Sequence, residues 1–152
     1  MDEQQSAGGA AARELDLERL LLSGERALDV DHERLGWLER EVELAVFRIA
    51  QGSLTNVERH AKGFTRVAVE MVRETDVRSG SDDFVLRVTN DGVPYNGTRG
   101  YGIRSMMDRA AAVGGRASIV STPTGAVVEM RVPSERAFTE QPVNLSAPGD
   151  AT

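Results

Sequence analysis

One apolar stripe limits what this chain can become. Leu38, Val42, Ala45, Val46, Ile49, Ala50, Leu54, Val57 and Ala61 recur at spacings of three and four, the period that sets side chains along one face of an α-helix. The pattern predicts a helix from Gly36 to about Lys62, with Gly63 as its stop. Gly52 interrupts it at a cost of about 1 kcal/mol relative to alanine. A stripe of this length needs a broad apolar layer to lie against.

After Gly63 the period falls to two. Arg66–Val72 and Phe84–Val88 read as strands, and the polar loop through Ser79-Gly80-Ser81-Asp82 makes them a hairpin. Ile103, Met106, Met107, Ala110 and Val113 return to helical spacing and stop at Gly114-Gly115. Arg116–Val120 and Ala126–Val132 form a last hairpin across Thr122-Pro123-Thr124-Gly125. Upstream, Arg13–Leu22 has helical spacing, and Ala27–Asp31 alternates briefly as a short strand. This order predicts an α+β two-layer sandwich: a mixed, mostly antiparallel sheet, covered by helices on one face and partly polar on the other. The folded domain is expected over 13–133. Residues 1–12 and 134–152, poor in large apolar side chains, are expected to be disordered ends.

A formal net charge of −6 argues against general attraction to nucleic acid or to an anionic membrane. A small anion would have to be captured locally, by backbone N–H groups and a few placed cations. The chain has no cysteine, and its two histidines, His32 and His60, lack zinc-site spacing. A hard cation with oxygen ligands, magnesium above all, remains compatible. No apolar run approaches the roughly 18 residues that cross a bilayer. The opening Met1-Asp2-Glu3-Gln4-Gln5 lacks a leader's basic-then-apolar pattern. The expected location is the cytoplasm.

Three stretches carry candidate chemistry. Gly52, Asn56, Arg59 and His60 share a helix face off the apolar stripe. Asn56 offers a carbonyl oxygen to a metal, and Arg59 and His60 suit phosphate. A solvated polar face explains the same spacing. Asn90-Asp91-Gly92 follows a strand and reads equally as a turn or as a strand-end group reaching a ligand. Gly97, Gly100 and Gly102 flank Thr98, Arg99 and Tyr101 just before a helix, where exposed N–H groups can meet an anion. An ordinary flexible loop has the same composition.

Taken in order, these pieces resemble the ATP-binding catalytic (HATPase) domain of sensor histidine kinases, in the GHKL or Bergerat-fold superfamily, nearest its nitrate-sensor branch. The segment from Phe47 to Ala61 looks like the N box, and Asn90-Asp91-Gly92 stands at the first glycine box. Gly100 to Ala110, with Val113-Gly114-Gly115, looks like the second, and Ser121 to Val128 followed by Pro133 looks like the closing hairpin. The likeness covers roughly residues 38–133. It implies ATP and Mg2+ as ligands, with Asn56 on the magnesium and Arg59 and His60 near the phosphates. It also implies backbone contacts to phosphate around Gly100, Tyr101, Gly102 and Ile103. Asn90 would meet the adenine amine, with Gly92 beside the base.

Three departures qualify these implications. Gly52 stands where the family usually has a glutamate, Asn90 where it has an aspartate, and Pro94 where glycine is common. No catalytic residue is therefore certain, because phosphoryl transfer depends on placed charge. Residues 1–37 are too few for the family's histidine-bearing helix pair, so the phosphoacceptor domain and the response regulator are expected on other chains or segments. The competing expectation is a degenerate, nucleotide-gated binding module without catalysis.

Overall fold

The computed structural model describes residues 25–31, 33–60, 63, 65–92 and 101–140. Its centre is a five-stranded sheet in the order β1-β3-β4-β6-β5. The strands are β1 (Glu25–Val30), β3 (Arg66–Thr75), β4 (Asp82–Asp91), β5 (Arg116–Thr122) and β6 (Gly125–Pro133). The pairs β3–β4, β4–β6 and β5–β6 are antiparallel, and β1 runs parallel to β3. A parallel pair requires a crossover. Helix α1 (Arg40–His60) supplies it. Helix α2 (Tyr101–Ala112) joins β4 to β5. The α+β sandwich with a mixed, mostly antiparallel sheet is therefore the observed fold.

Both helices lie on one face. The core joins Val42, Val46, Ile49, Ala50, Leu54 and Val57 of α1 to Val67, Val69, Phe84, Leu86, Val88, Met130 and Val132 of the sheet. Met106 and Ala110 bring α2 into the same cluster. Burying side chains of this size contributes roughly 1.5–3 kcal/mol each. The end of α2 is set by Gly114 at φ +81, with Gly115 N–H bonded to Ala110 O at 2.8 Å and Gly114 N–H to Ala111 O at 3.0 Å. That pair of bonds requires a left-handed residue at Gly114.

The other sheet face is polar, as expected. Arg87 donates to Glu74 through two nitrogens at 2.6 Å each, to Glu129 at 2.8 Å and to Glu70 at 3.2 Å. Arg131 donates to Glu129 at 2.8 Å, to Glu74 at 2.9 Å and to Asp83 at 3.3 Å. Arg87 holds the Glu74 carboxyl below its usual range against the opposing effect of burial. Burial also opposes the charge of Glu129, and the two guanidiniums outweigh it. On this face Val85, in register with Arg131, is fully buried.

Two sequence expectations need correction. The chain from residue 134 was expected to begin a disordered tail, but Ser134–Ala137 forms a helical turn, α3, and Phe138–Thr139 forms β7. β7 pairs antiparallel with β2 (Trp37–Leu38). The helix expected from Gly36 therefore starts at Arg40, because Leu38 is held in that small sheet and Glu39 N–H bonds to Ala137 O at 2.8 Å. The Phe138 ring meets Phe84 edge-on at 6.1 Å and lies under the Arg73 guanidinium at 5.0 Å. The expectations for 1–12 and for the helix at Arg13–Leu22 fall outside the described residues.

Candidate functional site

The two helices meet where the sequence placed two of its candidates. Asn56, in the last turns of α1, lies against Gly102, the second residue of α2: a methyl group at Gly102 would stand 3.2 Å from Asn56 Nδ2 and 3.4 Å from Oδ1. Any larger residue would crowd the half-buried amide. Among the described residues the Asn56 side-chain amide has no hydrogen-bond partner. An unpartnered amide at a helix start, whose first turn carries no acidic side chain, suits an anion or a hydrated cation bridging to one.

The contact is fixed from below. Ser53 Oγ donates to Ile49 O at 2.7 Å and reaches Met106 Sδ at 3.7 Å, which docks α2 on α1. Ile103 is buried in this junction, so its side chain anchors the helix and only its backbone can face a ligand. Gly52 is half-buried, and a methyl there would meet only Met106 Cε, at 3.5 Å. No carboxylate occupies that position to work beside Asn56.

Asn90 lies in β4, in register with Val67 and Ala126, both buried on the helix-covered face. Its Nδ2 donates to Asp91 O at 2.6 Å, which leaves Oδ1 as its acceptor. Gly92 follows at φ +103, just beyond the strand. Arg59 is exposed near the end of α1. His60 closes that helix and Tyr101 opens α2, but their side chains, like all of Gly100, lie outside the described residues.

Sequence reasoning offered Asp91 only as part of a turn or as a ligand-facing carboxylate, and missed its structural role. Its carboxylate accepts from the Thr65 N–H at 2.7 Å, the Thr65 hydroxyl at 2.6 Å and the Arg66 N–H at 2.8 Å. These donors, the Thr65 hydroxyl foremost, hold its carboxyl down to about 2 from an ordinary 3.8. The bond set clips the end of β4 to the start of β3 and so fixes Asn90. It also commits Asp91 to the backbone, leaving Asn90 as the strand-end group on the helix side. Among the described residues there is no His, Asp or Glu cluster able to hold a metal. A magnesium ion here would rely on the Asn56 carbonyl oxygen, phosphate and water, a donor set that its hard, partly hydrated coordination accepts.

No protein-family model matches the chain. The sensor protein VraS of Staphylococcus haemolyticus (strain JCSC1435) is 32% identical over 100 residues, covering 62% of this chain and 27% of that protein. VraS of Staphylococcus aureus (strain COL) is 32% identical over 97 residues, covering 60% and 26%. The chain thus spans about a quarter of the length of these curated relatives. Among solved structures, the histidine kinase domain of the blue-light activated histidine kinase from Erythrobacter litoralis EL346 superposes with a TM-score of 0.56 at 14% identity, over 86% of this chain and 62% of that one. Acinetobacter baumannii histidine kinase AdeS gives 0.54 at 11% identity, over 83% and 63%. At these identities the structures establish the fold. No described helix is long and apolar enough to cross a membrane.

Proposed function

Starting from a chain that corresponds in sequence and fold to the HATPase catalytic domain of sensor histidine kinases, we propose that it binds ATP with Mg2+ between the end of α1, the end of β4 and the start of α2. The observation that carries this reading is the unpartnered Asn56 amide set against Gly102. In this assignment Asn56 supplies an oxygen to magnesium, and the first N–H groups of α2, near Gly100, Tyr101, Gly102 and Ile103, face phosphate. Arg59 and His60 add positive charge at the end of α1. Asn90 Oδ1 accepts from the adenine amine, with Gly92 beside the base. Bound magnesium would neutralise phosphate charge. Titration calorimetry of the full chain with a nonhydrolysable ATP analogue and MgCl2 tests the binding step. Heat that disappears in Asn56→Ala supports it; no heat in the wild type ends it.

The activity that follows is transfer of the γ-phosphoryl group to a histidine on a separate acceptor domain, which then serves a response regulator. A location on the cytoplasmic side of the cell belongs to the same proposal. The second reading, a nucleotide-gated binder without catalysis, is favoured by Gly52, which leaves no carboxylate one helical turn before Asn56. A supplied acceptor domain and labelled ATP separate the two. Labelling by the wild type rejects the binder, whereas labelling only after Gly52→Glu rejects the kinase.

A further inference from the structure

We propose that Gly125 and the Thr65–Asp91 clip are positioning residues: they brace the end of β4 from both sides and so decide which purine the site accepts. The proposal rests on the nucleotide reading of this site and extends it to residues that touch no ligand.

The two braces are separate observations. β4 lies between β3 and β6 in the sheet, and each neighbour holds its end differently. On the β6 side, Gly125 is buried and in register with Asp91. A β-carbon there would fall on the Asn90 carbonyl oxygen, and would stand 2.8 Å from the Asn90 carbonyl carbon and 2.9 Å from Asp91 Cα. These are backbone atoms, so a side chain at 125 is admitted only by shifting the peptide that follows Asn90. On the β3 side, the Asp91 carboxylate accepts from the Thr65 hydroxyl and from the N–H groups of Thr65 and Arg66. Bonds to an ionised acceptor are stronger than neutral ones.

What the braces hold is the direction of one amide. Asn90 Nδ2 donates to the Asp91 carbonyl oxygen at 2.6 Å, which fixes the rotation of the amide and leaves Oδ1 to accept. An oxygen fixed in that place suits the 6-amino group of adenine and repels the 6-oxo group of guanine. The anchoring atom, Asp91 O, belongs to the short stretch that both braces hold. Once that stretch shifts, the amide is free to turn and offer its NH2 to a 6-oxo purine. The preference between the two bases then falls, because neither leaves a polar group unpaired.

Titration calorimetry of the full chain with MgCl2 tests this, using nonhydrolysable analogues of ATP and of GTP beside inorganic tripolyphosphate. The wild type is expected to favour the ATP analogue by roughly tenfold. Gly125→Ala and Thr65→Val should each lower that ratio by about threefold or more, as loss of one hydrogen bond's worth of positioning does. Tripolyphosphate carries no base and should bind these variants and the wild type alike. Thr65→Ser keeps the hydroxyl and should keep the ratio. In an Asn90→Ala background neither brace variant should move the ratio further, because both act through that amide. Thr65 is exposed, so Thr65→Val decides the matter if Gly125→Ala fails to fold. A merely structural role would weaken all three ligands together, and that result overturns the proposal. A wild type that favours ATP, with a Thr65→Val that keeps the preference, removes the braces and leaves the nucleotide reading standing. A wild type that binds no nucleotide ends both.

Discussion

The side-chain amide of Asn56 lies close against Gly102 across the two helices: a β-carbon at position 102 would stand 3.2 Å from Nδ2 and 3.4 Å from Oδ1, so the amide would have to give way to admit it. An alanine there gains helix propensity, worth at most about 1 kcal/mol. Its methyl also displaces the amide from the start of α2. In Gly102→Ala the melting temperature should hold or rise while affinity for Mg-ATP falls roughly tenfold. Unchanged affinity by calorimetry would separate Asn56 from nucleotide binding.

Gly52 offers the opposite case. A methyl there meets only Met106 Cε at 3.5 Å, an ordinary contact. Gly52→Ala should stabilise the domain by about 0.5–1 kcal/mol, because glycine inside a helix costs backbone entropy. Chemical denaturation would measure this. A loss of stability would mean the α1–α2 seam is tighter than described.

The Asp91 clip predicts a pH response confined to acid. Its carboxyl is depressed to about 2 from 3.8, so its charge contributes to stability fully above the unfolded value, and the contribution is lost as pH falls through the folded one. The gap in melting temperature between wild type and Asp91→Asn should stay level from neutral pH down to about 4 and close toward about 2. A gap that closes between pH 7 and 5 would point to another group.

Arg87 gathers Glu70, Glu74 and Glu129 on the polar face. Removing it leaves Glu74 and Glu129 to Arg131 and Glu70 without an ion-pair partner among the described residues. Arg87→Met should cost about 1–3 kcal/mol, between the values for exposed and buried pairs. Raised salt should recover part of the loss by screening the repulsion. Equilibrium unfolding at low and high salt measures both effects.

Deletion of residues 134–152 should destabilise the domain by several kcal/mol, because it removes Ala137, Phe138 and the partner strand of β2. Phe138→Ala alone should cost about 2–4 kcal/mol. A deletion variant that melts with the wild type would return this segment to the status of a tail.

The main elements were legible because each carries its own period. α1 shows three-and-four spacing throughout, β3 and β6 alternate against a core on the helix-covered face, and β4 is a short apolar run, Phe84-Val85-Leu86, at the centre of the sheet. Residues 134–139 were illegible because Ala137 and Phe138 are two apolar residues in polar company. Their burial depends on Trp37, Leu38, Arg73 and Phe84, all distant in sequence. The parallel partner of β1 was likewise a tertiary choice. In the site, the helix positions of Asn56 and Gly102 followed from spacing, but their meeting did not. Asp91 was hidden because Asn-Asp-Gly reads as a turn, whereas β4 continues through Asp91 and turns its carboxylate onto Thr65.

The parallel seam between β1 and β3 imposes an order of assembly. Glu25 finds Arg66 across the whole intervening helix, and Asp83 finds Pro133 across α2 and β5, whereas β3–β4 and β5–β6 pair strands that follow one another in the chain. Contacts spanning more chain cost more closure entropy and form later. The β3–β4 and β5–β6 hairpins should therefore form before the β1–β3 and β4–β6 seams during refolding, and of those two seams β1–β3, at the end of the sheet, should exchange its amide hydrogens first.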